Sequence, residues 1–297
     1  MTFIENIIIL VAINAIAAIG VNFITSYCGI SLSHAAFFAI GGYVYALCTK
    51  LLNWEFYSAV MLAMLVSVLF SCSLSLLAWR LKDDAFVLAT LALQAIIYSI
   101  CYNWATPETP LGSLLNLTGG PYGIQGIQAP NIFGFKLQST TSIALFYLAI
   151  VSGIAFLGHL SLRSPWGRLL TAMHDDELLA RSLGKNVRLL KFQTCALGCA
   201  LLALAGACYA AFIKVIDPEI AALEQSIYLL LIVLIGGPGN VIGSLVGALL
   251  VGATPEVLRL LEIPSQKAPV LRLLIFGIVL LVITHLRPRG LMGRFSA

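Results

Sequence analysis

Long uncharged apolar runs alternate with short polar connections along this chain. A helix that crosses the hydrocarbon core of a membrane needs about 20 apolar residues, and an uncharged run of 18 or more is a candidate span. The runs cover residues 6–49, 56–79, 85–107, 137–162, 192–213 and 225–255. A shorter run at 273–286 lies between Arg272 and Arg287, whose long side chains can reach outward to the headgroups. The pattern predicts an all-α, polytopic transmembrane bundle of about 8–9 hydrophobic segments.

Two of these runs contain breaks, near 28–34 and 236–239, where glycine, proline and short polar residues interrupt the apolar pattern. Broken helices persist at membrane depth only where they are buried in protein or line a water-filled cavity. Two interpretations therefore stay open at each break: a polar route, or a tight turn between short tilted helices. In the first interpretation, the candidate path residues are Ser31, Ser33, His34, Gly236, Gly237 and Gly239.

Small residues recur at a spacing of four in two segments, and that spacing puts them on one helix face. Such stripes allow a second helix to approach closely. We therefore expect tight helix packing at both stripes, which are formed by Ala203, Ala207, Ala211 and by Gly239, Gly243, Gly247.

Polar residues within the runs are few, and His34 is the ionisable exception. A histidine in a glycine- and serine-rich break is predicted to hydrogen-bond the backbone that the turn frees, with substrate contact as the alternative. Weakly polar residues are expected to form hydrogen bonds across helices: Asn22, Ser31, Ser33, Thr90 and Gln94.

Composition excludes a soluble fold, because only 10% of the residues are charged and 60% are hydrophobic, against about 25% charged in soluble domains. The net charge of +4 requires no nucleic-acid partner, since the basic residues cluster in connections between runs. The seven cysteines form no C-x-x-C motif and are interpreted as apolar packing residues, so no metal site is expected.

Basic residues favour the cytoplasmic side of short loops. Six of the 17 lie within 163–191, namely Arg163, Arg168, Arg181, Lys185, Arg188 and Lys191. This loop, the turn with Arg80 and Lys82, and the tail with Arg287, Arg289 and Arg294 are therefore predicted to be cytoplasmic. The polar loop at about 105–136 is then extracytoplasmic and the N-terminus lies outside, with the first run interpreted as an uncleaved helix.

Within the basic loop, residues 175–184 predict a short capped helix. Asp175 is the expected N-cap, early acids such as Glu177 suit the positive end of the dipole, and Gly184 suits the left-handed position that ends the helix. Leu179 and Leu183 share one face and have no membrane to bury against. An isolated helix this short needs a packing surface, which is either a docking partner or the inner surface of its own protein.

The sequence of this loop resembles the A-x-x-x-G core by which bacterial ABC importer permeases contact their ATPases, with Ala180 and Gly184 at its ends. Glu177 lies one residue earlier than in the usual form. Other segments resemble the branched-chain amino-acid permeases of the LivM type. Residues 31–43 resemble that family's S-x-G-H-A-A-F-F-x-I-G-A-Y block, with Ser33 replacing glycine and Gly42 replacing alanine. Further resemblances are L-T-G-G-x-x-G-[LI] at 117–124, S-x-x-G-R…A-x-x-L-G-x-N at 164–186, S-I…G-G-x-G at 226–239 and P-x-G-L at 288–291.

This resemblance implies one permease domain over residues 1–297 of an ATP-driven importer in the bacterial inner membrane. It implies an ATPase-coupling loop at about 163–191, with Asp175, Glu177, Leu179, Ala180, Leu183 and Gly184 as its residues. The chain lacks the phosphate loop G-x-x-x-x-G-K-[ST], so ATP is expected on separate ATPase subunits and no cofactor in this chain. The implied partners are two such ATPases, a second permease subunit forming a heterodimer, a periplasmic or lipid-anchored substrate-binding protein, and membrane lipid.

Other functions stay open at the level of sequence. Within the importer class, permeases of this family for urea, short amides or other amino acids are the alternatives to one for branched-chain or hydrophobic amino acids. A membrane-embedded enzyme would need paired carboxylates or a metal site, and an ion-coupled carrier usually needs a buried acid, whereas the long runs contain no Asp or Glu. A channel is the remaining alternative, although it would have no use for the Ala180/Gly184 loop.

Overall fold

The computed structural model of the chain describes residues 2–252 except 82, 107–108, 114, 133–134 and 137–138. Beyond that range it describes 254, 271, 274, 277–278, 281, 285 and 290–293. Helices dominate these residues, as the run pattern predicts. They are α1 Thr2–Tyr27, α2 His34–Leu51, α3 Phe56–Arg80, α4 Asp83–Asn103, α5 Thr140–Arg163, α6 Pro165–Asp175, α7 Glu177–Ser182, α8 Val187–Ile213, α9 Leu223–Gly236 and α10 Val241–Gly252.

Helix α8 lies at the centre of the bundle and packs against α1, α2 and α3. Small residues make these contacts possible. A Cβ on Gly206 would overlap the carbonyl oxygen of Phe38, and a Cβ on Gly41 would overlap the Ala203 backbone. The alanine stripe at 203, 207 and 211 is fully buried, so the tight packing predicted for it is confirmed.

Five described helices are long and apolar enough to cross a membrane, or six if α9 and α10 together count as one bent span. The described part of the chain therefore has fewer spans than the predicted 8–9 segments. Helices α9 and α10 have only 14 and 12 residues, each too short to cross about 30 Å of hydrocarbon. Most of the predicted segment 273–286 lies outside the described residues, as do Lys82, Arg272, Arg287, Arg289 and Arg294.

The five spans differ in how much of their surface the protein covers. The most apolar window of α1 is 72% buried, whereas those of α3, α4 and α5 are 33%, 28% and 28% buried. Helix α1 is therefore an interior element, and the other three turn apolar faces outward, as lipid-facing helices do.

Both predicted breaks are confirmed. Helix α1 ends at Tyr27 and α2 begins at His34, so an irregular segment separates them. Helices α9 and α10 meet at an angle of 120° across residues 237–240. Gly237 and Gly239 have positive φ values of 107° and 80° in this turn, a region of backbone conformation that glycine enters without steric cost.

The polar loop between α4 and α5 is tied to the helical bundle by short strands. Strand β1 (Ile124–Gln125) pairs antiparallel with β4 (Val215–Ile216), which follows directly after α8. Strands β2 (Asn131–Ile132) and β3 (Phe135–Lys136) form a second small ladder within the loop. The described part of this loop therefore lies against the end of α8.

Candidate functional site

Residues 163–191, the predicted coupling loop (called the coupling loop below), contain two helices between α5 and α8 instead of the single one that the sequence predicts. The unpredicted helix α6 follows α5 after one residue, Ser164, whose hydroxyl accepts a hydrogen bond from the Gly167 N–H at 3.3 Å. Pro165 occupies the first helical position, where a missing N–H has no cost. The pair Ser164-Pro165 is an N-terminal helix signal that could have identified α6 from sequence.

The N-cap of α7 is Asp176, so the assignment of that role to Asp175 is wrong. The Asp176 carboxylate accepts hydrogen bonds from the N–H groups of Leu178 and Leu179 at 2.8 and 2.9 Å. An N-cap residue needs a non-helical backbone. Asp176 is extended, whereas Asp175 is the last residue of α6.

The predicted end of α7 is confirmed at Gly184, which has a φ of 76°. The N–H of Gly184 donates to the Arg181 carbonyl at 2.9 Å, and the N–H of Lys185 donates to the Ala180 carbonyl at 3.2 Å. These two bonds form a Schellman motif, which satisfies carbonyls at a helix end. The Ala180 and Gly184 positions of the A-x-x-x-G pattern therefore shape one structural unit.

Helix α7 packs on its own protein through one side only. Ala180 is 6% exposed, whereas Leu178, Leu179 and Leu183 are 70%, 58% and 69% exposed. We call these three residues the leucine face. The helix therefore rests on its own protein through Ala180, as one of the two predicted alternatives requires, and it still presents unburied apolar area. The docking partner stays a prediction. Exposed apolar patches of this kind mark contact surfaces.

Two charged residues join α7 to the membrane helices. The side chain of Lys191, which is 8% exposed, donates to Glu177 at 3.0 Å and to the Ala78 carbonyl near the end of α3 at 2.9 Å. Glu177 also pairs with Arg181 one turn along α7. Glu177, Lys191 and the end of α3 therefore form a connection from α7 through α8 to α3.

The charge state of Glu177 follows from these contacts. Partial burial alone would raise the pKa of its carboxyl, but the hydrogen bond and charge of Lys191, together with Arg181, hold that pKa below its ordinary value. The carboxylate is therefore ionised at neutral pH. A group whose pKa is lowered on folding contributes stability above its ordinary pKa of 4.5 and loses it as the pH falls through the lowered value.

Side chains of α4 bind the backbone at the first break. The N–H of Leu32 donates to Thr90 at 3.1 Å, and the N–H of Ala36 donates to Gln94 at 2.9 Å. Gln94 also donates to the Ala221 carbonyl. The hydroxyls of Ser31 and Ser33 are 2.9 Å apart. The cross-helix hydrogen bonding predicted for Thr90 and Gln94 is confirmed.

One further bond at this break was not predicted. The N–H of Ala35 donates to the hydroxyl of Ser226 at 2.9 Å, which ties the start of α2 to the start of α9. The serine was visible in sequence only as part of the S-I…G-G-x-G resemblance.

His34 is fully buried at the same break. Its ring lies within electrostatic reach of the Ser31 backbone. Neither ring nitrogen, however, forms a hydrogen bond of normal geometry with a described residue. The predicted hydrogen bond from this ring to the freed backbone is therefore not formed.

The second break is held by polar side chains of α1. The Gly239 N–H donates to Asn22 at 2.8 Å and to Ser26 at 2.7 Å, while the Asn22 amide donates to Ser244 at 2.6 Å. Asn22 thus bonds across helices, as predicted. A Cβ on Gly236 would overlap the carbonyl oxygen of Gly243, and a Cβ on Gly247 would overlap that of Ile232. Close packing is thus confirmed at Gly243 and Gly247, whereas the predicted place of Gly239 on the same helix face is wrong, because Gly239 lies in the turn before α10.

The space beside this break is small. A cavity lined by Asn22 and Gly239 among others has a volume of about 10 Å³, roughly enough for one water molecule. The contacts at the break match a tight turn buried in protein. The two groups of candidate path residues are also apart, because Ser226 and Gly236 lie at opposite ends of α9, roughly 15 Å of helix.

The residues that the sequence assigns to ATPase coupling, in contrast, lie together on α7 and at its two ends. Of the described residues, no group of three His, Cys, Asp or Glu side chains is arranged to hold a metal ion. The site consists of an apolar helix surface, an ion-paired connection behind it, and two packed helix breaks. It is suited to a mechanical contact between proteins.

Residues 3–284 match the family described as the permease component of branched-chain amino acid transport systems. This chain belongs to that family. Family membership makes the chain a multi-pass membrane transport component, in agreement with its apolar spanning helices.

Curated relatives of LivM type match along most of the chain. The high-affinity branched-chain amino acid transport system permease protein LivM of Escherichia coli (strain K12) is 26% identical over 311 residues, 97% of this chain and 69% of that protein. The probable LivM permease of Methanocaldococcus jannaschii is 30% identical over 247 residues, 79% of this chain and 67% of that protein. The ribose import permease protein RbsC of Haemophilus influenzae is 25% identical over 291 residues, 96% of this chain and 86% of that protein.

Proposed function

We propose that this chain is the membrane-spanning permease subunit of an ATP-driven ABC importer for branched-chain and other hydrophobic amino acids. The observation that carries the proposal is the leucine face on α7 in a chain that belongs to this permease family. A short capped helix with three exposed leucines is suited to insertion into a groove of a partner protein.

The partners we propose are two ATPase subunits, a second permease subunit, and a substrate-binding protein on the outer side. ATP is bound by the ATPase subunits, since this sequence has no phosphate loop. The importer resides in a bacterial inner membrane, with the N-terminus outside and the C-terminus and the coupling loop in the cytoplasm. The support for this orientation is the excess of Lys and Arg within 163–191.

The proposed mechanism is alternating access. Closure of the ATPases moves the leucine face and with it α7, whose motion passes through Ala180 and the Glu177–Lys191 pair to α8 and α3. Helix α8 packs against α1, α2 and α3, and α3 also packs against α2, so a displacement of α7 rocks the elements that carry both breaks. Rigid elements with two discrete arrangements are what such coupling requires.

The substrate path in this mechanism runs past the breaks, with Ser31, Ser33, His34, Gly236, Gly237 and Gly239 as its candidate residues. In the conformation described here both breaks are packed, so we assign it to a closed state. A weakly polar path releases an apolar amino acid without holding it tightly. Relatives named for ribose import also match this chain, so uptake of labelled leucine, ribose and urea by the assembled importer distinguishes the substrates.

The leucine face is tested by the double variant Leu179→Ser/Leu183→Ser. Each serine removes apolar contact area, which is worth about 25 cal/mol for every Å² buried. We expect a loss of at least tenfold in association with the ATPase subunits, and a matching loss of ATP-dependent uptake. Co-purification through a tag on this chain and uptake into cells measure the two effects.

Ser182→Ala is the matched control, because it alters the same exposed helix without removing a leucine. It should leave both quantities near wild type. Unchanged ATPase association and uptake in the double variant would contradict the importer proposal. Substrate flux that continues without ATPase subunits would favour a channel.

A further inference from the structure

A groove on the outside of the coupling loop is lined by none of the residues of the leucine face or of the Glu177–Lys191 pair. It lies where α5 ends and α6 begins, and its volume is about 630 Å³. Six residues line it: Leu162, Arg163, Arg168, Thr171, Ala172 and Asp175. One end carries two guanidinium groups and the other a carboxylate, so the groove is polarised.

The groove lies at the level of the membrane boundary. Helix α5 is long enough to span a membrane and ends at Arg163, which lies at the start of the groove. Next to it, Trp166 packs its ring on Phe23 and donates its indole N–H to Gln193 at 2.9 Å. Tryptophan rings with one apolar and one polar side are typical of the headgroup region.

Helix α6 is amphipathic. It buries Gly167, Leu170 and Met173 on one face, in a cluster with Phe23 of α1, and exposes polar residues, including Arg168, on the other. Because its apolar face packs on the protein, its polar face and the groove point outward. The groove therefore lies at the outer surface beside the end of a spanning helix, where the layer of lipid phosphates begins.

The two arginines have unused hydrogen-bonding capacity. Neither Arg163 nor Arg168 forms an ion pair with a described residue. One guanidinium nitrogen of Arg168 donates to the Arg163 carbonyl at 3.3 Å, which orients the group and leaves its other donors available. A planar guanidinium with free donors matches the geometry of a phosphate.

We propose that this groove binds the headgroup of a membrane phospholipid. Arg163 and Arg168 bind the phosphodiester, and Asp175 at the other end accepts from a cationic amine. This charge order favours a zwitterionic headgroup with a primary amine, phosphatidylethanolamine, over a wholly anionic one, because the carboxylate repels a second negative group. The inference goes beyond the transport function and does not depend on it.

The test measures lipid bound to the full importer complex by native mass spectrometry, with added phosphatidylethanolamine, phosphatidylglycerol or phosphatidylcholine. We expect Arg163→Gln/Arg168→Gln to bind phosphatidylethanolamine at least tenfold more weakly than wild type, because charge-assisted hydrogen bonds to the phosphate are lost. Lys50→Gln/Lys185→Gln removes two positive charges outside the groove and is the matched control, for which we expect wild-type binding.

A third variant tests the carboxylate. Asp175→Asn should reduce the preference for phosphatidylethanolamine over phosphatidylglycerol while the phosphate contact remains. Phosphatidylcholine, whose quaternary amine cannot donate a hydrogen bond, should bind more weakly than phosphatidylethanolamine in wild type. Both side chains are exposed, so the single variants Arg163→Gln and Arg168→Gln are expected to assemble. If the double variant does not assemble, each single variant should bind phosphatidylethanolamine more weakly than wild type.

Three results would overturn the inference. Equal lipid binding by wild type and the arginine variants would remove the two arginines from the site. Displacement of the lipid by millimolar inorganic phosphate would indicate a soluble anion as the ligand. Unchanged lipid binding together with loss of ATPase subunits in the double variant would assign the groove to the protein partner.

Discussion

Gly184 combines two properties at the end of α7. Its φ of 76° lies in the left-handed region, and no atom lies within 4 Å of the position that a Cβ would occupy. A side chain there would meet no steric obstacle beyond its own backbone. The cost of substitution is therefore a property of the backbone alone, which separates this glycine from those that are needed for packing.

Gly184→Ala should destabilise the end of α7 by about 1 kcal/mol, because alanine disfavours the left-handed conformation. Gly184→Asn should cost less, since asparagine tolerates that conformation. The measurement is ATPase association at graded concentrations, in which the alanine variant should be several-fold weaker and the asparagine variant close to wild type. Equal effects of the two variants would contradict a backbone role.

Lys191 is the residue through which α7 contacts two membrane helices at once. Its buried ammonium group is paired with Glu177 and hydrogen-bonded to the Ala78 carbonyl. Such a group is suited to transmit force, because moving either partner exposes a buried charge or leaves it unpaired.

We expect Lys191→Met to keep the leucine face and ATPase association but to lower the amount of substrate moved per ATP several-fold. The reason is that methionine fills the space without joining α7 to α3. The ratio of uptake to ATP hydrolysis in proteoliposomes measures this coupling. Lys185→Met, at an exposed position of the same loop, is the control, and an unchanged ratio in Lys191→Met would refute the role.

At the scale of elements, the α9–α10 hairpin is possible only because its facing residues lack side chains. A Cβ on Gly236 would overlap Gly243, and a Cβ on Gly247 would overlap the Ile232 carbonyl oxygen. The turn between the helices is then closed by Asn22 and Ser26. The hairpin and α1 thus form one packed unit.

Gly236→Ala should destabilise the protein by about 1–3 kcal/mol, the usual cost of overpacking. Gly153→Ala is the matched control, because a Cβ at this helical position of α5 meets no described residue of another element within 4 Å. Thermal unfolding in detergent, followed by intrinsic fluorescence, should show a lower midpoint for the first variant and an unchanged or slightly higher one for the second. Equal midpoints would mean that α9 and α10 can separate enough to accept the added Cβ without a loss of stability.

At the scale of the whole molecule, orientation in the membrane decides which face is available to the proposed ATPases and which to the proposed binding protein. The coupling loop and the polar loop between α4 and α5 lie at the two ends of the bundle. Helix α8 begins next to the coupling loop and ends at β4, which pairs with β1 of the polar loop. Because the loops lie at opposite ends, the side of the membrane on which one lies determines the side of the other.

Single cysteines test this orientation. Lys185→Cys should react with a membrane-impermeant maleimide only after the inner face is opened, and Tyr122→Cys, whose native side chain is 84% exposed, should react in intact cells. The wild-type chain measures the background from the native cysteines. The reverse pattern would invert the proposed topology and place the leucine face outside, where no ATPase could reach it.

The amino-acid sequence by itself determined the membrane class, the helical architecture, both breaks and the end of α7. These features follow from local patterns: the length of apolar runs, the position of Gly and Pro, and the backbone freedom of Gly184. The exposure of the leucines also followed from local spacing, because they share one face in a polar loop and have no membrane to bury against.

Only the tertiary structure decided which aspartate caps α7 and how the breaks are closed. The separate helix α6 was missed although the local pair Ser164-Pro165 signals its start. The Lys191–Ala78 bond joins residues 113 positions apart, and the Asn22–Gly239 bond joins residues 217 positions apart. Local patterns carry no information on such pairs, because each partner is an ordinary polar group until the fold brings them together. The polarised groove at Arg163, Arg168 and Asp175 likewise arises only where the end of α5 meets α6.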